Sequence, residues 1–478
     1  MLREVEGSVS ATTSDKTDFF DNLKSAKNVR FIPASRATMP STQHPTSYWV
    51  ETGNPEPVLT TISGDRKADV VIIGAGFTGL SAAYHLSQAG IDAVVVEAED
   101  VGWGASGRNG GMLPPRYKKG FASIAKTYGN DATRRLHAIV HEAVDTVEAI
   151  VADCALDCGF SRTGQITAAH SDTHLASLKA DCDWMVAEAG DTAARILSRS
   201  EMIDEVGANI HVGGWLDPRG AGIHPLNYVR GLAAALQRRG VPIFVGSPVR
   251  RLVDETDGIR LELSGCAITA RQVVIATNAY TDSTGFAPEG LERRIVAVNT
   301  SVICTNPIGG NRAAAVLPTR RMVADTKHIM NWYRMLPDNR MIFGGRGDIT
   351  GRSDDPSVYA KLERQLAETF PAIADVGVGH RWSGKIAITR DDFPHIGRLS
   401  PRVAYAMGYG GRGVALANVL GKYLAQLVRG ETVDAGPMSA NAFDPIPFHA
   451  FRVPGMQIVA RWYQYLDAKA IREQERAA

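Results

Sequence analysis

Charge of one sign is what this chain lacks. Its 52 lysines and arginines meet 51 aspartates and glutamates, leaving +1 over 478 residues. There is no global field to gather nucleic acid or an anionic membrane, and neither partner is expected. Local groups such as Arg116, Lys118, Lys119 and Arg250, Arg251 read as solvated surface charge. Cysteine is also scarce. The five present (Cys154, Cys158, Cys182, Cys266, Cys304) are an odd number, which suits free thiols in a reducing, cytoplasmic setting. Cys154 and Cys158 have no second pair at zinc-ligand spacing. His137, His141 and Glu142 do not make His-Glu-x-x-His, because position 138 is Ala, so no metal is expected. The opening residues, with Arg3, Glu4 and Glu6, lack the apolar stretch of a signal peptide. One run, Val70 to Ile91, holds no Asp, Glu, Lys or Arg across 22 positions, yet its four glycines favour a buried strand, turn and helix over a transmembrane segment.

Residues 1–46 are rich in Ser, Thr, Asp, Lys and Pro and read as a loosely packed extension. Beyond them the pattern runs α/β, then mixed β, then α/β again. Val70–Ile73 is an apolar run suited to a parallel strand buried on both faces, and Ala93–Val96 is the next strand. Helices are predicted over 131–152, Leu226–Arg239, Tyr359–Phe370 and Val414–Val428. Strands are predicted at Pro242–Val245, Arg260–Leu263, Ala267–Thr269, Gln272–Ala276, Val296–Cys304, His328–Leu336, Arg340–Gly344 and Val403–Met407, with a turn at Pro337-Asp338-Asn339.

The first strand runs into Gly74-Ala75-Gly76-Phe77-Thr78-Gly79, and the second ends at Glu97. A glycine-rich turn between strand and helix lets backbone N–H groups approach a pyrophosphate at a helix N-terminus. An acid closing the next strand can bond ribose hydroxyls. That pattern alone serves FAD or NAD, so an NAD-linked dehydrogenase stays open at this point. A second glycine-rich loop, Gly102 to Gly111, can wrap an extended cofactor. A third, Met407 to Gly413, again joins a strand to a helix. The helix that follows would present its positive end to a flavin, and Arg412 beside it reads as a substrate-carboxylate contact or a surface arginine.

Together, Gly74-x-Gly76-x-x-Gly79, Glu97, Gly102-x-Gly104-Ala105-Ser106-Gly107-Arg108-Asn109-Gly110-Gly111 and Gly408-Tyr409-x-Gly411-x-Gly413-Val414 resemble the D-amino-acid oxidase-like flavoenzymes of glycine and sarcosine oxidase type. The similarity is greatest to the gamma-glutamylputrescine oxidoreductase group. It extends to Ile223–Asn227, Ala276–Tyr280, Tyr333–Arg340, Arg381–Gly384 and Pro394–Leu399.

The resemblance implies a Rossmann-like FAD-binding domain (47–160, 222–285 and 378–432) with an inserted mixed β-sheet substrate domain (161–221 and 286–377). It leaves a tail, 433–478, packing on the FAD domain. It places Gly74, Gly76, Phe77, Thr78, Gly79, Glu97, Ala98, Gly104, Ala105, Ser106, Arg108, Asn109, Gly110, Gly111, Met112, Val249, Thr277, Gly408, Gly411, Gly413 and Val414 at the cofactor. Covalent relatives carry a Cys near 386–389 or a His near 102–111. Neither is present, so noncovalent FAD is expected. Some oxidases place a Lys over the flavin, and Arg340–Arg346 holds none, which leaves oxygen or another acceptor open.

The implied reaction is oxidation of a C–N bond in a small amine or N-substituted amino acid, such as a gamma-glutamylputrescine-like compound, an N-alkyl glycine or an opine. Tyr333, Trp382, Tyr409 and Arg412 are the candidate catalytic and pocket residues, with Tyr333 and Trp382 equally readable as core aromatics. Arg334 and Arg398 are candidates for a carboxylate or for ion pairs. A non-catalytic flavoprotein subunit is the remaining alternative.

Overall fold

The computed structural model describes residues 44–281, 288–347 and 355–477, so most of the expected N-terminal extension lies outside the described residues. The main elements begin with β1 (Arg66–Ile73), α1 (Phe77–Gln88), β2 (Ala93–Val96), α2 (Phe121–Asp153), β3 (Gln165–Ala169), α3 (Asp172–Ala189), β4 (Gly213–Asp217), α4 (Pro225–Arg238), β5 (Ile243–Phe244) and β6 (Ala267–Ile275). They continue with β7 (Val296–Thr305), β8 (Met322–Asp325), β9 (Asn331–Met335), β10 (Met341–Arg346), α5 (Pro356–Thr369), β11 (Val378–Ile388), β12 (His395–Ser400), β13 (Val403–Met407), α6 (Gly413–Val428) and α7 (Arg452–Ala477).

The first sheet has the order β12-β13-β6-β1-β2-β5. Its inner pairs are parallel, with Val71 opposite both Val273 and Val94. Val70 and Ile72 pack into one apolar cluster with α1 and α6, while Val71 and Ile73 enter another on the opposite face. Burial on both faces is why this strand alternates nothing. The two strands expected at 267–269 and 272–276 are one continuous strand, β6, because each residue pairs in turn with β1. Helices α1 and α6 touch at Gly421, where an added Cβ would meet Thr78 O at 2.7 Å, and Ser81 Oγ donates to Asn418 O at 2.7 Å. That close approach sets both helix N-termini at the carboxyl end of the parallel strands.

The second sheet runs β11-β7-β10-β9-β8-β3-β4, closed by a short strand at Arg195–Leu197. Two expectations are corrected here. Strand β11, assigned from the sequence to the FAD domain, pairs with β7 from Val296↔Ile388 to Thr305↔Val378 and forms the edge of this second sheet. Its alternate residues, Trp382 and Ile386, face the first domain, so its likeness to cofactor-contacting segments reflects contact across the domains. The tail also divides. Phe443 stacks on His395 at 4.2 Å, against the first sheet, but α7 crosses to the second. There Asp467 accepts from the backbone N–H of His328 and Ile329, and Tyr463 stacks on His328.

Burial lowers several histidines: His85 and His224 to about 4, His170 and His211 to about 3. The folded state therefore binds fewer protons than the unfolded one. Stability is present above the unfolded value of 6.5 and is lost as pH falls through the lowered values. Each group shifted to about 4 withdraws up to about 3 kcal/mol across that interval. We expect urea midpoints to fall steeply between pH 6.5 and 4, ahead of ordinary carboxylate titration.

Candidate active site

The carboxyl ends of β1, β2, β6 and β13 converge on one cavity of about 430 Å³, the crevice position expected for a ligand of an open parallel sheet. Its floor is the first glycine turn. Gly74 has φ +111, in the left-handed region, and a Cβ at Gly79 would lie 1.9 Å from Gly74 O. Glu97 closes the turn: one carboxylate oxygen accepts from Ala75 N at 2.7 Å and the other from Glu99 N at 3.1 Å. Burial raises its pKa, and these N–H groups work against that rise. Phe77 N donates to Ser106 Oγ at 2.9 Å, so the second loop caps the helix that the first loop begins.

Two tryptophans clamp that second loop. Trp49 Nε1 donates to Asn109 O at 2.8 Å and Trp382 Nε1 to Arg108 O at 2.9 Å. Asn109 bonds Ala105 O and Ser106 O with its amide and receives Gly111 N. Arg108 lies over Trp103 at 4.3 Å. The third loop is tied by Tyr409 OH to Thr78 Oγ1 at 2.7 Å, by Gly408 N to Asn278 Oδ1, and by Gly410 N to Ala387 O of β11.

Of the residues singled out from the sequence, Gly74, Gly76, Phe77, Thr78, Glu97, Ala98, Gly104, Ala105, Ser106, Asn109, Val249, Thr277, Tyr409, Gly411, Gly413 and Val414 line the cavity. Gly79 and Gly111 shape it from behind through close backbone packing, and Gly110 and Gly408 by making room for the Trp332 and Thr389 side chains. Met112 pairs with Gly222 in a two-stranded ribbon outside the wall. Two candidates are corrected. Tyr333 is 1% exposed and stacks on Phe343 at 5.5 Å, on the face of β9 turned away from the cavity. Its hydroxyl meets His211 Nε2 at 2.9 Å. Strand alternation sends Trp332 and Arg334 the other way. An added Cβ at Gly110 would sit 2.4 Å from Trp332, and Arg334 donates to Gly111 O at 2.6 Å. Trp382, also 1% exposed, supports the loop from beneath and is a positioning residue. A Trp382→Phe variant removes its hydrogen bond and is expected to cost about 1–2 kcal/mol in thermal unfolding and to weaken flavin retention. Arg398 is spent on Gln272, Pro401 O and Leu427 O, remote from the site.

β10 has no Lys, yet Lys385 of β11 lines the cavity with its ammonium 5.5 Å from the Tyr280 ring. Only the pairing of β11 with β7 brings it there. Arg412 caps α6 at the edge of the third loop, and burial lowers its pKa to about 9, with Arg116 adding to the fall. No carboxylate pairs with it among the described residues. Arg116 bonds Thr167 of the second sheet and lies over Trp215. Arg346, on the same face of β10 as Gly344, has a buried Nη1 without a partner.

The site fits an extended dinucleotide. Two helix N-termini and three glycine loops supply backbone donors, and the walls are built from small residues. Among the described residues no helix is long and apolar enough to cross a membrane. The family model for FAD dependent oxidoreductases (DAO) matches residues 69–427. The chain is 32% identical over 433 residues to gamma-glutamylputrescine oxidoreductase of Escherichia coli (strain K12), covering 89% of this chain and 99% of that one. It is 30% identical over 390 residues to the probable oxidoreductase OrdL of Haemophilus influenzae, covering 81% and 89%. The glycine oxidase structure from Geobacillus kaustophilus superposes with a TM-score of 0.67 at 20% identity, covering 78% of this chain and 98% of that one, which speaks for the fold. With its three glycine loops around one interdomain cavity, the chain belongs to the DAO family of FAD-dependent oxidoreductases.

Proposed function

We propose that the protein oxidises the C–N bond of a small amine or N-substituted amino acid that also carries an acid group. The observation that carries this reading is Arg412: a desolvated guanidinium at the N-cap of α6, between the cavity-lining Gly411 and Gly413, with no carboxylate partner among the described residues. Arg116 is itself paired with Asp181 at 3.6 Å, so Arg412 is the cation left to meet an anionic part of a ligand. The likeness to an enzyme of a gamma-glutamyl amine supports the same chemistry, since a free glutamyl group bears an α-carboxylate.

FAD, when bound, supplies the acceptor for the two electrons of the C–H bond next to nitrogen. The amine becomes an imine, which water splits to an aldehyde or keto acid and an amine, and the electrons pass on to oxygen or another acceptor. The protein binds and orients. Gly74, Gly76, Ala105 and Ser106 would hold the cofactor's phosphates and Glu97 its ribose, with Asn109, Ile386, Tyr409 and Gly411 on the remaining wall of the cavity. Arg412 would anchor the acid group, and Trp332 packs against Gly110 to hold the second loop in place. Among the described residues the cavity walls include no Cys or His, which supports noncovalent attachment, and five free cysteines support a reducing, cytoplasmic location.

The test is anaerobic titration of the yellow protein with paired amines, each with its acid group free or converted to the amide. Bleaching by the acid and not by the amide is the expected outcome. Equal bleaching by both, or by neither, overturns the reading. Denaturation should release the flavin into the supernatant.

A further inference from the structure

His137 and His141 lie one turn apart on α2, so their rings share one face of the helix. The fold brings a third group to them. Gly190 ends α3 in the left-handed region at φ 63, and the chain turns to present Asp191. His137 Nε2 lies 2.8 Å from Asp191 Oδ2, His141 Nε2 lies 3.3 Å from His137 Nε2, and His141 Nε2 lies 3.7 Å from Asp191 Oδ2. A single proton cannot serve all three edges of this triangle. A tetrahedral ion with bonds of about 2.0–2.1 Å holds its ligand atoms about 3.3 Å apart, and the three edges scatter around that length.

We propose that His137, His141 and Asp191 form a three-ligand site for a divalent transition ion of the zinc class, with a fourth position open to water. Two imidazoles favour such an ion over calcium or magnesium, which select oxygen. The Nδ1 atom of His141 has no partner, which leaves Nε2 as the only polar contact of that ring.

The carboxylate is held in place by further hydrogen bonds, as a ligating carboxylate is. Asp191 Oδ1 accepts from Ala193 N at 3.0 Å, and Oδ2 also accepts from Arg219 at 2.7 Å. Asp217 holds Arg219 through both of its carboxylate oxygens. Two carboxylates against one guanidinium leave one negative charge to meet the cation. The three side chains are slightly exposed, at 11%, 16% and 8% for His137, His141 and Asp191, so the group lies near solvent. Bound there, it would clip α2 to the turn after α3, away from the cavity. Asp191 lies 50 residues beyond His141, so no sequence spacing marks this grouping.

The test uses flavin-loaded protein dialysed against chelator, then titrated with zinc chloride by calorimetry and with cobalt chloride by visible spectroscopy. One equivalent per chain is expected, with cobalt bands free of thiolate charge transfer. His141→Ala and Asp191→Asn should each weaken zinc binding at least about tenfold while the flavin spectrum is unchanged. Asp191→Asn keeps the shape of the site, so it answers if His141→Ala misfolds. The proposal is overturned by unchanged affinity in these variants, by thiolate bands, or by no saturable uptake in the wild-type protein.

Discussion

A Gly79→Ala chain is expected to purify without its yellow colour. The added methyl would lie 1.9 Å from Gly74 O and 3.2 Å from Ile72 Cγ2. Backbone stands on one side and a packed β1 side chain on the other, so neither can yield as a flexible side chain would. Overpacking of this kind costs typically about 1–3 kcal/mol, and here the strain falls on the turn that must present its N–H groups to a pyrophosphate. We therefore expect FAD affinity to fall by about 100-fold or more, read by titrating FAD into apoprotein. Gly309→Ala is the control: nothing lies within 4 Å of its added Cβ, and it should keep full flavin content. Full retention of flavin by Gly79→Ala would show that α1 is free to shift away from β1.

The second large effect is expected at Arg412. Removing it as Arg412→Ala takes away a buried cation that Arg116 repels, so thermal stability should hold or rise. Activity should move the other way. A charge-assisted contact to a substrate acid group is worth about 1.5–3 kcal/mol, so kcat/KM for acid-bearing amines should drop about 10- to 100-fold. Amines without an acid group should be nearly unaffected. The pH dependence carries the same signature. With a pKa lowered to about 9, Arg412 is charged below that value and loses its proton above it. The preference for acid-bearing over acid-free amines should therefore shrink as pH rises past about 9. A stable variant with its preference intact would remove Arg412 from the substrate site.

Much of the cofactor crevice was legible because it is built from local signals. A turn that needs Gly74 at positive φ, a helix N-terminus directly after it, and Glu97 at the end of the next strand are all set by short-range sequence. The opposite wall was not legible in the same way. Tyr333 and Trp332 are neighbours, and a strand sends one to each face. Which of them meets the cavity depends on which face of the second sheet is turned to the first domain. Lys385 and Trp382 were obscured by the reverse problem, since their strand reads as part of one domain and pairs with the other.

By itself the sequence determined the strand–turn–helix units, the free thiols and the near balance of charge, because each rests on composition or on contacts within a few residues. Tertiary structure alone decided where sequence-distant side chains converge: Arg412 with Arg116, Lys385 with the cavity, and Asp191 with His137 and His141. The physical reason is that these meetings are fixed by strand register and helix packing. A shift of one residue in register turns a side chain to the opposite face, and no local pattern records which register the sheets adopt.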